Sequence, residues 1–595
     1  MKRLLQLPFA FRLVWEGGPR WCVASFATVA VQGALPLAAL VLLKKIVDAV
    51  VVALPGGERE GDVLPALAYV GLAAAVGLLE AACRGVAGII SENQSQAVAD
   101  HVQELIQRQS ASMDLAFYET PDFQDTLHRA QTDARTKPLR IVNSLTKIAV
   151  NAVSLAGVAG LLLAYHPGIT LVLCAAMLPG LFFGMRVSRK LFEWRNACTE
   201  TERKTHYLHW VLTSGFCAQE NKSFGFSSAL IPRFRELRRQ LRGERLGLLK
   251  QQAWGEWIIQ SGGVAAVFGC LAYMAAQAAR GLMTVGSLVM FAQAMRRAEG
   301  FVRDSLQSVA HLYEDSLFLK NVREFLELRP EVSAPAAPKP MPGGCGDLRM
   351  VGVTFRYPGS SEPALRGVTI DLPAGRRIAL VGHNGSGKST LVKLLCRYYD
   401  PQEGVVEYGG TDVRDYNPEE YRRQIGTMFQ NFNRYHFTAR ENVWLGSVGL
   451  DPRDPRIEKS ASLSGADRVI AALPRGYDTP LGRWFKSGAE LSQGEWQQVA
   501  LARAFAGEGR ILVLDEPSSF LDPDAEERLF GILREHFGDR TILFVSHRFS
   551  TVRQADWIYV MENGAVAEQG AHEELMGRAG LYARMFELQA KGYRA

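Results

Sequence analysis

The chain has 595 residues, a formal net charge of +6 and an apolar share of 48%. That length points to several domains rather than one small one. The modest charge excludes the basic footprint of a nucleic-acid binder, so no nucleic-acid partner is expected.

The first stretch, MKRLLQLPFAFRLVWEGGPRW, lacks the continuous apolar core and small-residue cleavage site of a signal peptide. Residues 1–18 are predicted to form an amphipathic helix lying on the inner membrane surface. Long apolar runs follow at about 19–47, 64–90, 141–165, 168–190, 253–279 and 282–305. A membrane helix takes roughly 20 mostly apolar residues, and these runs are predicted to make six spans. Basic residues cluster near the N-terminus, around Arg186–Lys190 and along RFRELRRQLRGER. The intervening loops at 52–63 and 165–168 lack such clusters. The asymmetry places the N-terminus inside and, after six spans, returns the C-terminal half to the same side.

Two stretches between the runs, about 91–140 and 188–250, are too polar for the bilayer and too long for loops; helical spacing continues through both. Polar residues inside the runs are Gln32, Glu80, Arg84, Glu256, Gln260 and Gln293. Ionised groups are costly in lipid, which makes these candidates for a substrate path. Glu80 and Arg84 are four apart and share a helix face, so a pair that fixes packing is the competing reading. The eight cysteines are scattered singly, without CxxC or metal spacing, and are expected to be reduced packing residues. The Pro-rich segment 329–344, RPEVSAPAAPKPMPGG, is predicted to be an extended, solvated linker.

The remainder, 345–595, reads as α/β. RIALVGH has the look of a buried parallel strand and TLVKLLCRYY has helical spacing. Between them lies GHNGSGKST, residues 382–390, a GxxxxGKS phosphate-binding loop. Gly382, Gly385 and Gly387 let the backbone turn tightly, so that N–H groups along His383, Asn384 and Ser386 point at phosphate oxygens. Lys388 brings a point charge, Ser389 a hydroxyl for Mg²⁺, and Thr390 continues the loop into a helix whose positive dipole end faces the anion. A second apolar strand, ILVLDE, ends in two carboxylates: Asp515, placed to hold Mg²⁺, and Glu516, placed to accept a proton from an attacking water. A third, TILFVSH, ends in His547.

This set resembles the nucleotide-binding domain of the ABC transporter superfamily over about residues 345–590. By that resemblance Gly382–Thr390 is Walker A and Ile511–Glu516 is Walker B. Gln430 is the Q-loop glutamine and a further Mg²⁺ ligand, His547 the switch histidine, Asp522 the end of the D-loop, and Tyr357 the aromatic that stacks on adenine. The signature LSGGQ is LSQGE here: Ser492 and Gly494 stand as in the family, while Gln493 replaces a glycine and Glu495 a glutamine. The two polar stretches resemble the intracellular extensions of type IV exporters. Coupling helices are then expected near FYETPDFQDTLHRA, with Pro121 as helix breaker, and near LTSGFCAQENKSFGF.

The fold class implied is multi-domain. A six-helix all-α transmembrane domain with long cytosolic helical extensions is followed by an α/β P-loop ATPase domain. The function implied is ATP-driven export across the cytoplasmic membrane, with ATP and Mg²⁺ as cofactors and a second half-transporter, expected to be an identical chain, as partner. The tail WQQVALARAF and the segment FYETPDF look most like bacterial exporters of peptides such as lantibiotics, without a peptidase domain ahead of the first span. A lipid or a hydrophobic drug is the alternative cargo, and membrane lipid is a partner in either case. A soluble ATPase of DNA repair or translation, or a regulator with a silent ATPase, would share the head domain. Six apolar runs oppose the first, and Glu516 with His547 oppose the second.

Overall fold

The computed structural model describes residues 7–54, 61, 63–120, 126–127, 130–131, 134, 137–165 and 167–594. The chain divides into two units: Met1–Ala111 with Asp125–Leu328, and Ser112–Gln124 with Arg329–Ala595.

Among its described residues the first unit has helices joined by short turns and no strand. Leu7–Gly17 forms an amphipathic helix, while residues 1–6 of the expected 1–18 element lie outside the described residues; Gly18 then ends that helix and Pro19 opens the next, where its missing N–H costs nothing. Six long helices follow: Pro19–Ala53, Leu64–Ser112, Lys137–Tyr165, Pro167–Ala197, Ser227–Ala279 and Val285–Leu326. Each carries one of the six predicted apolar runs. Four of them, with the third counted as Lys137–Ala164, are long and apolar enough by themselves to cross a membrane. The 49-residue and 53-residue helices are about 75–80 Å long at 1.5 Å per residue, more than twice the hydrocarbon thickness.

The polar stretches are thus mostly helix. The second turns back through Gly215–Phe224, capped by the Ser214 hydroxyl, which accepts the Phe216 N–H at 3.2 Å, and ended by Gly225 in the left-handed region. The first ends in the short helix Leu115–Tyr118. Pro121, the expected breaker, lies outside the described residues, as do parts of the loops at 52–63 and 165–168.

Small residues let the long helices approach. A Cβ on Gly33 would overlap Val153, and one on Gly157 would overlap Leu37. Around them Leu40, Val158, Leu162, Met274, Met290 and Phe291 form the core. Asp315 is fully buried between Arg140 and Lys137, the latter 3.3 Å away, so the desolvation of this carboxylate is offset by two cations. At the opposite end Asp48 accepts the Gly286 N–H at 3.0 Å, one of the unpaired donors at a helix start.

The second unit carries two sheets. The antiparallel one has the order β2-β1-β4-β5, from Leu365–Leu372, Leu348–Phe355, Glu403–Tyr408 and Thr411–Asp412. The six-stranded one has the order β10-β9-β3-β8-β7-β6, from Ala565–Gly570, Trp557–Glu562, Arg377–Gly382, Thr541–Val545, Ile511–Asp515 and Ile425–Met428. All its neighbours run parallel except β10 with β9. Strands β7 and β8 are buried at every position, which explains their unbroken apolar sequences. A separate helical core gathers Val443, Ile457, Ile470, Trp496, Val499 and Ala502.

The segment 329–344 has neither helix nor strand, as expected, yet it is pinned. Asp114 accepts the N–H groups of Glu331 and Val332 at 2.6 and 2.9 Å, Val332 is buried, and Lys339 pairs with Asp415 at 2.8 Å.

Candidate active site

The parallel order puts the carboxyl ends of β3, β8 and β7 side by side, which is where α/β sheets bind ligands. Residues 382–390 follow β3, His547 follows β8, and Asp515 and Glu516 end β7. Three distant pieces of sequence therefore meet at one sheet edge.

The phosphate loop has no room for side chains at two glycines. Gly382 and Gly387 both have positive φ, and a Cβ would overlap the Met561 carbonyl at the first and Leu365 at the second. Lys388 opens the helix Lys388–Leu395 and folds back over the loop: its Nζ donates to the carbonyls of Gly382 and His383 at 2.8 and 2.9 Å. Burial lowers its pKa, opposed by the negative charges of Asp515 and Glu516. Ser386 is buried, while His383, Asn384, Gly385 and Ser389 stand exposed along the loop and Thr390 is buried at its end.

Asp515 is buried, and that burial, with the Glu516 charge beside it, pushes its pKa up to about 6. The backbone N–H of Gln430 bonds to this carboxylate, so the segment after β6 reaches the same point. Glu516 has φ 52°, the left-handed region, which costs a non-glycine residue of order 1–3 kcal/mol. Its N–H is held by the Val545 carbonyl at 2.9 Å. His547 Nε2 lies 3.4 Å from Glu516 Oε1. Burial first, then the Lys388 charge, lowers the His547 pKa, against the opposing effect of the Glu516 charge.

Sequence reasoning missed Gln497. It is fully buried, and its Nε2 donates to the carbonyls of Pro517 at 2.8 Å and Glu516 at 3.2 Å while its Oε1 accepts the Phe520 N–H at 3.2 Å. It ties the helix Gln493–Ala506 to the strained carboxylate. A glutamine inside a helix carries no spacing signal that would have marked it. Arg548 was also missed: it donates to the Ser519 and Leu521 carbonyls at 3.1 and 3.3 Å and thereby fixes the segment before Asp522. Asp522 itself caps the helix Pro523–His536 by accepting the Ala525 N–H at 2.6 Å.

The signature residues sit elsewhere. Ser492 is the N-cap of Gln493–Ala506, with Gln493, Gly494 and Glu495 as its first turn, on the helical core rather than at the sheet edge. Tyr357 follows β1 and its hydroxyl lies 3.1 Å from Thr390 Oγ1, so it does join the loop.

In the membrane unit, Glu256 and Gln260 line one cavity of about 520 Å³, together with Gln252, Glu299, Arg303 and Gln307 and apolar walls such as Phe183 and Leu306. Gln252 donates to Glu256 at 2.8 Å, and Glu299 pairs with Arg303 at 2.9 Å. Gln32, Glu80, Arg84 and Gln293 do not line it. Glu80 and Arg84 do meet each other, at 3.6 Å.

The profile of the ABC transporter family matches residues 365–519. The chain is 29% identical to the subtilin transport ATP-binding protein of Bacillus subtilis over 81% of its own length and 78% of that protein's. It is 27% identical to the nisin transport ATP-binding protein of Lactococcus lactis, over 98% and 96%. It is 29% identical to the ATP-dependent lipid A-core flippase of Aliivibrio fischeri, over 85% and 86%. The structure of a bacterial Atm1-family ABC exporter with ATP bound superposes with a TM-score of 0.80 at 25% identity, over 96% of this chain and 98% of the other. Residues 365–519 thus carry an ATP-binding domain of the ABC transporter family, the chain as a whole is similar to bacterial ABC exporters in sequence and fold, and a domain of this kind couples ATP hydrolysis to transport.

Proposed function

We propose that two copies of this chain form an exporter of amphipathic peptides in the cytoplasmic membrane, with the ATPase units in the cytosol. The observation that carries the reading is the meeting of residues 382–390, Asp515, Glu516 and His547 at adjacent strand ends. The peptide part rests on likeness to the subtilin and nisin transport proteins along most of the chain.

Each residue then has a role. The loop N–H groups and Lys388 hold the phosphates of ATP, and Tyr357 offers its ring to adenine. Ser389, Gln430 and Asp515 offer hydroxyl, amide and carboxylate oxygens, the hard donors that Mg²⁺ takes. The fit is supported by Asp515, a buried carboxylate beside the Glu516 charge, whose burial cost a bound cation would offset. Bound there, Mg²⁺ would neutralise charge on phosphate oxygens. Glu516 takes the proton of the attacking water, and His547 orients the group that Glu516 faces. Ser492, Gln493, Gly494 and Glu495 reach the ATP held by the partner, and Asp522 holds the turn between the two sites.

The six long helices span the membrane near 19–47, 64–90, 141–165, 168–190, 253–279 and 282–305. The cavity beside Glu256 and Gln260 is part of the substrate path, with Gln32, Glu80, Arg84 and Gln293 lying along the same bundle. Closure of two ATPase units favours one membrane conformation because ATP binds that state better. The helix Gly215–Phe224 would carry this motion to the partner.

A lipid cargo is the second reading, favoured by the likeness to lipid A-core flippases. The test is ATPase stimulation and vesicle uptake in lipid nanodiscs and proteoliposomes across peptides, lipids and hydrophobic drugs. Stimulation and uptake confined to peptides supports the first reading; confined to lipids, the second replaces it. No stimulation by any class, with hydrolysis intact, removes both cargoes.

A further inference from the structure

Beside Tyr357 lies a cluster that the phosphate chemistry does not use. Glu119 follows the short helix Leu115–Tyr118 and belongs to the ATPase unit. Its Oε1 accepts from Lys393 Nζ at 2.6 Å, and its Oε2 accepts from the Tyr399 hydroxyl. Both donors also touch Tyr357. Lys393 Nζ is 5.2 Å from the centre of the Tyr357 ring, and the Tyr399 ring meets it edge-on with centroids 5.5 Å apart. Lys393 itself lies on Lys388–Leu395, the helix that starts at the phosphate loop.

The pair is half-buried, with 26% of the Lys393 side chain and 37% of that of Glu119 exposed. An ammonium so placed needs a fixed anion to stay over a ring; without one, water competes for it. The carboxylate holds both flanks of Tyr357 with its two oxygens. Glu119 is joined through the chain to the long helix Leu64–Ser112, while the groups it grips border the loop that holds ATP.

We propose that Glu119 is a positioning residue: through Lys393 and Tyr399 it sets the pose of the Tyr357 ring, so that the affinity for the adenine base depends on whether the segment around Leu115–Tyr118 is docked. Linkage makes this reciprocal: the base must strengthen docking of that segment by the same factor. The device would let a membrane helix sense the nucleotide base, separately from the phosphates. It rests on Tyr357 as the adenine platform and is independent of the cargo.

The test uses the full-length protein in nanodiscs and three equilibrium measurements: affinity for AMP-PNP, affinity for inorganic tripolyphosphate, and hydrogen exchange at residues 112–120. Glu119→Gln is expected to weaken AMP-PNP about 5- to 10-fold, in the range of ordinary coupling, and to leave tripolyphosphate within twofold. AMP-PNP should slow exchange at 112–120 in the parent and not in the variant. In a Lys393→Met background Glu119→Gln should cost less than in the parent, as coupled partners do. Unchanged AMP-PNP affinity overturns the proposal. So does an equal loss of tripolyphosphate, which would mean a damaged loop, or two independent, multiplying effects. Tyr357→Ala is the control: if it too leaves AMP-PNP unchanged, the platform reading falls first and takes this proposal with it.

Discussion

Glu495 and Ser492 cap each other. The Glu495 carboxylate accepts the Ser492 N–H at 2.7 Å, and the Ser492 hydroxyl accepts the Glu495 N–H at 3.4 Å. The departure from glutamine at 495 therefore has a local reason: a carboxylate in the first turn satisfies orphan donors and suits the helix dipole. The Ser492 proton stays free to donate. The cost falls on an anion brought to this helix start, which would now meet a negative charge. Glu495→Gln keeps the reciprocal cap, so thermal stability should change by less than about 1 kcal/mol. The KM for ATP should drop by about 3- to 10-fold, more at low salt than at high salt because the repulsion is screened. Steady-state ATPase at two ionic strengths checks it; a KM that does not move at either would show that the charge is not near phosphate.

Glu516 is expected to be the proton acceptor. Glu516→Gln should bind ATP yet hydrolyse it at least ~100-fold more slowly, within the range for general-base loss. Nucleotide-bound dimer should accumulate on size-exclusion chromatography. Turnover at the parent rate would remove Glu516 from the role.

Gln497 makes a different forecast. Replacing it with leucine keeps the volume but takes this partner from the Pro517 carbonyl and the Phe520 N–H, each worth about 1–3 kcal/mol when buried, while the Glu516 carbonyl keeps the Ser519 N–H at 3.3 Å. The strained turn at Glu516 should relax, and kcat should fall about 10- to 100-fold while KM changes little. A thermal scan run beside the kinetics separates the effects. If KM rises and kcat holds, Gln497 supports binding and not the base.

The pH dependence follows from Asp515. Its folded pKa, about 6, lies above the ordinary value of 3.8. A raised carboxylate favours folding most when protonated, below the ordinary value, and that contribution is lost as pH rises through about 6. A cation bound to the carboxylate prefers the opposite state. Mg²⁺-dependent ATP binding should therefore weaken up to about tenfold per pH unit below 6, as metal and proton compete. Calorimetric titrations from pH 5 to 7.5 read the slope. A flat profile would take Asp515 out of the metal site.

Glu80 and Arg84 lie 3.6 Å apart on one helix face, with Glu80 the less exposed. Reversing either charge alone should lower transport several-fold, and reversing both should recover most of the loss, since a pair in a membrane helix is tolerated only where protein or water covers it. Cysteines at the two positions should react with water-soluble probes in the resting protein. Reaction with lipid-dissolved probes alone would place the pair against lipid and leave Glu256 and Gln260 as the better cargo contacts.

Much of this protein follows from local sequence. The loop 382–390 can only turn as it does with glycine at 382 and 387, and each carries its own steric reason. Strands β3, β7 and β8 declare themselves by unbroken apolar runs, and four of the six long helices by apolar runs of membrane length. Tertiary structure decided what one run cannot know about another. Parallel order sets the ends of β3, β8 and β7 together, which buries Asp515 and gives Glu516 its contact with His547. Gln497 is an ordinary helical glutamine until the fold buries it beneath Glu516. Glu119 and Lys393 are 274 positions apart, and nothing in either neighbourhood announces the other. Periodicity and steric demand act over a few residues and are written locally. Burial, charge pairing and buried hydrogen bonds depend on distance in space, and the chain acquires those distances only by folding.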